Sequence, residues 1–426
     1  MKKILLCMLL GILCMSVMWA GGKAEQSKTN KDKAVISFWF PSEGVINDQY
    51  FFDAIKRFET KNPSIAVEVT KLPTNNTEVD LKLNAAQLND EFPDVFSSYL
   101  TFIAPRGSKG DFENLKPYLD SWPEANDIME SALEMGKYKG TQYGIGFFPS
   151  PQVFCYRKDY FKEAGLDPEK PPKTWDEIRT YAAKLVKKDS SGRIIRAGYD
   201  IPALNAEVYL TTFMRQAGSV FIDEMNDVPV YTDAGGIEGL EFMLSMKSQS
   251  IPYDATKFDD FPFMKGNSAM SVINTAQLNK LIAPDSPVKD LIGFGPVTTH
   301  AKKSAFCGYR LYTMSAKSKY KTQSWELIKF LMGKEEMLIR ARDLNIPNVR
   351  KSLESEYIKL KPELNLTLSD YVKYGKGVSV VPWIQVSTKN IRIAYEEAYS
   401  DKKTALQALK DAETIVKKEL ETLYKK

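Results

Sequence analysis

The chain has 426 residues, 43% of them hydrophobic, 26% charged and 12% aromatic, and carries a formal net charge of +4. That length predicts two or more core units rather than one. So small a charge, from 58 basic and 54 acidic residues, excludes recruitment to nucleic acid or to a membrane surface by bulk electrostatics.

Lys2 and Lys3 precede an uncharged stretch from Ile4 to Ala20, and polar Gly21-Gly22-Lys23-Ala24-Glu25-Gln26 follows. This is the layout of a cleaved secretory signal, expected over residues 1–24. A spanning anchor needs roughly 20 apolar residues, and this stretch is shorter and diluted by Gly11 and Ser16. Small residues stand at −1 for cleavage after either Ala20 or Ala24. Cys14 lies inside the apolar stretch instead of closing a small-residue box, so an unlipidated, periplasmic product is expected. Losing Lys2, Lys3 and Lys23 leaves a net charge of +1. Losing Cys7 and Cys14 leaves Cys155 and Cys307, too few for a disulfide framework, although one bridge stays open.

Val35 to Phe40 is β-branched and aromatic and predicts a strand, which Pro41-Ser42-Glu43-Gly44 breaks. Asn47 to Thr60 places Phe51, Phe52, Ile55 and Phe58 on one helical face, and Asn62-Pro63 stops it. Ile65 to Val69 alternates as a second strand, Val79 to Leu88 is a helix, and Val95 to Tyr99 is a further strand. The strand-helix-strand order predicts an α/β fold with a largely parallel sheet. In such sheets ligands bind at loops leaving the carboxyl ends of strands, so the loops beginning at Phe40 and Ser97 are the first candidate contacts.

Farther along, Thr174 with Glu177 three residues later forms a capping box, which makes Trp175 a structural residue. Gly165 suits a left-handed helix exit after Tyr160 to Ala164. Phe263-Met264-Lys265-Gly266 reads as a helix end and turn, and Ser268 to Ile273 as a buried strand running into Asn274-Thr275-Ala276-Gln277.

Phe92-Pro93-Asp94-Val95, Gly140 to Ile145, Cys155-Tyr156-Arg157-Lys158-Asp159-Tyr160 through Leu166, Pro171-Pro172-Lys173-Thr174-Trp175-Asp176-Glu177, Phe263 to Met270, and Gly308-Tyr309 leading to Trp325 through Leu331 occur in that order. Together they resemble the extracellular solute-binding proteins of the maltose-binding type, ABC importer components that carry sugars. The resemblance implies an α/β two-lobe periplasmic-binding-protein fold, type II-like, each lobe a mostly parallel sheet flanked by helices, with the ligand in the cleft between them. It implies lobe I over 34–146 plus 297–345 and lobe II over 147–296 plus 346–426. Phe147 to Pro151 and Gly293 to Val297 are the expected hinge crossings. The implied partners are a small-molecule solute, a carbohydrate, and ABC permease subunits in the membrane. A monomer with no cofactor and no nucleic acid is expected.

A sugar offers hydroxyls around a weakly apolar ring face, so its site pairs stacking aromatics with directional polar groups. Trp39, Tyr99, Phe148, Tyr309 and Trp383 are the stacking candidates; Ser42, Glu43, Ser98, Thr101, Asn274 and Gln277 are the hydrogen-bonding ones. Trp383 carries most weight, standing where the family presents an aromatic to the cleft; core packing is the competing reading for each ring. Related chains carry Gly and Trp near Asn274 and Asn in place of Arg157. Arg157 and Arg310 are the groups that would read an anionic solute such as a sugar phosphate or uronate, with surface solvation as the simpler account of both.

His300 is the only histidine, and Gly107-Ser108-Lys109-Gly110 is not a nucleophile elbow. No phosphate loop and no metal-spaced His/Cys cluster occurs, and binding rather than catalysis is expected. Two carboxylates facing across a cleft remain open to a glycosidase, and the same cleft would serve a sensor docked to a membrane receptor.

Overall fold

The computed structural model describes residues 33–201, 206–251 and 261–424; the leader expected at 1–24 lies outside the described residues. β1 (Ala34–Pro41) turns Ile36, Phe38 and Phe40 into the core on alternate positions, leaving Ser37 and Trp39 half-buried on the other face. α1 (Val45–Lys61) returns across the sheet and buries Tyr50, Phe51, Ala54, Ile55 and Phe58. β2 (Ile65–Leu72) pairs in parallel with β1 along its whole length. α2 (Asn76–Leu88) starts at Asn75, whose side chain accepts from the backbone N–H of Thr77 and Glu78. β3 (Val95–Tyr99) then pairs in parallel with β1 on its other side.

β4 (Ile145–Pro151) leads into β5 (Val153–Arg157). α3 (Trp175–Leu185) opens on the expected capping box: Thr174 Oγ1 accepts from Glu177 N at 3.3 Å, and Glu177 Oε2 accepts from Thr174 N at 3.2 Å. Trp175 is buried as expected, donating to Gln216 at 2.6 Å, with its ring stacked between Phe242 and His300, each 4.2 Å away. His300 therefore closes an aromatic stack. α4 (Ala206–Gln216), β6 (Met270–Ile273), α5 (Thr275–Leu281) and β7 (Ile292–Phe294) follow. Gly165 and Gly266 both adopt the left-handed conformation the sequence requires of them.

β8 (Ala305–Met314) is antiparallel to both β3 and β4, and pairs in parallel with β9 (Gly375–Lys376). The large sheet runs β9-β8-β3-β1-β2, with β4 also on β8. The second sheet is β6-β5-β7. The α/β class holds, but the expectation of a mostly parallel sheet in each lobe does not extend to this one: β6 and β7 both run antiparallel to β5. Strand sense is set by partners distant in sequence, which local periodicity does not encode.

Two hydrophobic cores result. One gathers Ile36 through Phe147 with most of Cys307 through Leu353; the other gathers Val153 through Ala305, Ala341, and most of Tyr357 through Leu420. Gly293 and Phe294 sit inside β7 against β5, and Val297 packs with the second core; the chain reaches the first core only at Cys307. Between Tyr371 and Val381 it runs along the seam, with Val372 and Val380 in the first core, Val381 in the second and Val378 touching both. Cys155 and Cys307 are free and buried, one in each core, so the bridge left open by the sequence is not formed; burial pushes both thiols up. Among the described residues no helix is long and apolar enough to cross a membrane.

Candidate functional site

The carboxyl ends of β1 and β3 deliver two loops to one edge of the large sheet, and β8 passes beside them. Arg310 on β8 stands opposite Tyr99 of β3 on one side and Phe148 of β4 on the other, where the β4 register shifts. Its guanidinium lies 3.4 Å from the centre of the Tyr99 ring and donates through Nη2 to Glu43. Burial pulls the Arg310 pKa down to about 9, and burial raises Tyr99 to about 12. Solvation on the surface, the simpler expectation for Arg310, is therefore replaced by a buried, stacked and paired guanidinium.

Around this centre the expected contacts divide. Glu43 is an ion-pair partner, while Ser42 is committed to Asp48, donating to its carboxylate at 2.6 Å at the start of α1. Ser98 is fully buried and donates to the Tyr99 carbonyl at 3.0 Å, and Tyr99 Oη donates to Thr74 O at 2.7 Å. Thr101 follows Leu100 in a single 3₁₀ turn, with its buried Oγ1 lacking a partner. Phe148 is half-buried at the edge of the first core, while its neighbour Phe147 points inward and stacks on Tyr312 at 3.7 Å. Trp39 is half-buried against that core, and Tyr309 is buried in it with Oη on Ser131 at 3.3 Å.

The contacts expected from the other lobe meet this edge at β4. Thr275, the first residue of α5, comes within 3.4 Å of Ser150 Oγ and donates to Pro151 O at 3.3 Å. Asn274 and Gln277 form a capping box for α5: Asn274 Oδ1 accepts from Gln277 N at 2.9 Å and Gln277 Oε1 accepts from Asn274 N at 3.1 Å. Only their amide nitrogens remain to address a ligand, and that of Gln277 is buried without a partner. Trp383, just before α6 (Ile384–Tyr399), is 3% exposed within the second core, and its indole N–H has no partner among the described residues. Arg157 does not reach this region's chemistry: it pairs with Asp159 through two bonds, 2.9 and 2.7 Å, and lies 4.3 Å over Tyr160.

The sequence reading missed the seam between Lys376 and Ser379. A side chain at Gly377 would collide with Leu100, so the backbone passes directly under the turn that carries Thr101. Arg215, near the end of α4, donates to Lys376 O at 3.3 Å, and burial pulls its pKa down to about 10. A lone cation among Phe213, Met214 and Gln216 on a largely apolar helix was the available signal. Among the described residues, the buried side-chain polar atoms without hydrogen-bond partners include Thr101 Oγ1, Arg215 Nε, Glu224 Oε1 and Ser379 Oγ at this seam, and Gln277 Nε2, Arg310 Nη1 and Trp383 Nε1 on the elements described above. An unmet buried polar group costs about 1–3 kcal/mol.

A family model described as bacterial extracellular solute-binding protein matches residues 53–365. A probable amino-acid ABC transporter periplasmic-binding protein of Sinorhizobium fredii is 27% identical over 253 residues, 57% of each chain. The sn-glycerol-3-phosphate-binding periplasmic protein UgpB of Escherichia coli K12 is 31% identical over 162 residues, 35% of each chain. The chain thus spans well under two thirds of those relatives' lengths. The structure of the sugar-binding protein MalE from Xanthomonas citri superposes with a TM-score of 0.81 at 19% identity, over 92% of this chain and 100% of that one. That likeness establishes the two-lobe α/β fold. With the family match covering most of its length, the chain belongs to the bacterial extracellular solute-binding proteins.

Proposed function

We propose that this protein captures a small extracytoplasmic solute, a sugar or sugar derivative, in the cleft between its lobes and presents it to ABC permease subunits without transforming it. The observation that supports the reading is the set of buried polar atoms at the seam of the two cores that lack hydrogen-bond partners among the described residues: Thr101 Oγ1, Arg215 Nε, Glu224 Oε1 and Ser379 Oγ. A polyhydroxylated ligand supplies what they lack, and the half-buried Phe148 ring supplies an apolar face beside them. The proposed lobes meet where the chain changes core, at 147–153, 305–307 and 353–357, and close by hinge motion about those segments. The likeness to the sn-glycerol-3-phosphate-binding UgpB supports a polyol derivative, and the likeness to an amino-acid-binding relative keeps amino acids in the panel below.

Thermal shift of the purified mature protein against sugars, oligosaccharides, polyols, sugar phosphates, uronates and amino acids tests this. A ligand at a hundred times its Kd adds about 2.7 kcal/mol to the native state. One class should raise the melting temperature, and Phe148→Ala should lower the affinity for that class, measured by titration of the folded variant. No response from any class, or turnover of a bound compound, refutes the proposal.

A further inference from the structure

Between α4, α6 and the seam at Val378-Ser379 lies a cavity of about 70 Å³, walled by Glu207, Thr211, Arg215, Phe221, Ser379 and Thr388 among others. At roughly 10–15 Å³ per water it has room for roughly five water-sized atoms, the scale of a small polar group. Arg215 is 7% exposed and Ser379 1%. Among the described residues, Arg215 Nε and Ser379 Oγ have no hydrogen-bond partner.

The other polar groups on the wall are already used. Thr211 and Thr388 donate to carbonyls of their own helices, Val208 O at 3.1 Å and Ile384 O at 2.9 Å. Glu207 accepts two bonds from Arg392, at 3.1 and 2.8 Å, and Glu224, the carboxylate whose charge Arg215 feels most, lies 3.1 Å from Lys376. Arg215 is the basic side chain of the cavity wall, and the one carboxylate acting on it, Glu224, is shared with Lys376. What the cavity offers without a partner among the described residues is a charged N–H and a hydroxyl, beside a Glu207 carboxylate already engaged twice by Arg392. A neutral sugar hydroxyl must donate as well as accept; a carboxylate or phosphate only accepts.

We infer that this cavity seats an anionic substituent, a carboxylate or phosphate, of the captured solute, with Arg215 as its charge partner and Ser379 as a second donor. The inference rests on the solute-binding reading above and goes beyond it in the class of solute. Arg310 does not compete for the anion, because Glu43 already neutralises it.

Calorimetric titration with matched probes tests it: sn-glycerol 3-phosphate against glycerol, glucose 6-phosphate against glucose, and galacturonate against galactose. An anionic member should bind at least tenfold tighter than its neutral partner. Arg215→Gln should weaken that binding about ten- to a hundredfold, the range for a lost charge-assisted hydrogen bond, and Arg215→Lys should recover part of it. Ser379→Ala should weaken it less, and serves as the test if Arg215→Gln does not fold. A neutral sugar bound as tightly as its anionic partner, or an Arg215→Gln protein that binds unchanged, overturns the anion site and leaves the solute-binding reading standing. A folded wild-type protein that binds none of these probes, nor any compound of the wider panel, overturns both.

Discussion

Two hairpins reach toward each other across the lobes, one from the first core (Lys137–Tyr138 and Thr141–Gln142) and one from the second (Phe221–Asp223 and Val228–Val230). At their tips Lys139 Nζ lies 2.5 Å from Asp227 Oδ2, and Tyr138 Oη donates to the same oxygen at 3.2 Å. Asp227→Asn keeps the shape and an acceptor but removes the charge. Asn also suits the left-handed backbone there, where φ is 54°, so folding is preserved. Lys139 is 47% exposed and therefore partly screened, which limits the pair to about 1 kcal/mol or less. A change of that size shifts the ratio of closed to open molecules about fivefold toward open. Spin labels placed one on each lobe, read by pulsed dipolar spectroscopy on the ligand-free protein, measure that ratio. At 1 M salt, where charges are screened beyond about 3 Å, the wild type should move toward the variant. Identical distance distributions for the two proteins at low salt would refute the latch, because a pair closed only by ligand has no influence on the empty protein.

Two further outcomes concern stability. Thr174→Ala removes one half of the α3 capping box and should cost about 1 kcal/mol, lowering the melting temperature by about 2–4 °C for a unit of lobe size; an unchanged calorimetric transition would show that the Trp175 stack alone holds the helix start. Asp127 accepts from Arg350 Nη1 at 2.9 Å and from Ser352 N and Oγ at 2.7 Å each. Burial pushes its carboxyl up, but these bonds outweigh it and hold the group below the ordinary value. Its stabilisation is thus fully present above about pH 4, the unfolded carboxyl value, and is lost as pH falls through the lower folded value. Melting temperatures measured from pH 7 downward should fall more steeply for the wild type than for Asp127→Asn below about pH 4, and parallel curves would contradict the assignment.

The features legible in the sequence were those whose cause is local. β1, α1, β2, α2 and β3 follow from the spacing of apolar residues and the breakers between them, and the α3 cap follows from Thr174 and Glu177 three positions apart. The same local rule was available at Asn274 and Gln277, whose spacing is that of a cap, yet these were read as ligand contacts. Ordered blocks along the chain carried the two-lobe class. What only the tertiary structure decided depends on partners far apart in the chain. The antiparallel sense of β6 and β7 rests on pairing with β5, which precedes them by more than a hundred residues. Arg310 becomes a stacked, paired group only because β8 lies beside β3 and brings it to Tyr99 and Glu43. Arg215 acquires its unmet N–H only where the seam at Lys376 and Ser379 covers it and excludes water. Helix caps and strand periods are written in residues three, four or two apart; burial, and with it the unmet polar groups at the seam, exists only once the two cores have closed on the same stretch of chain.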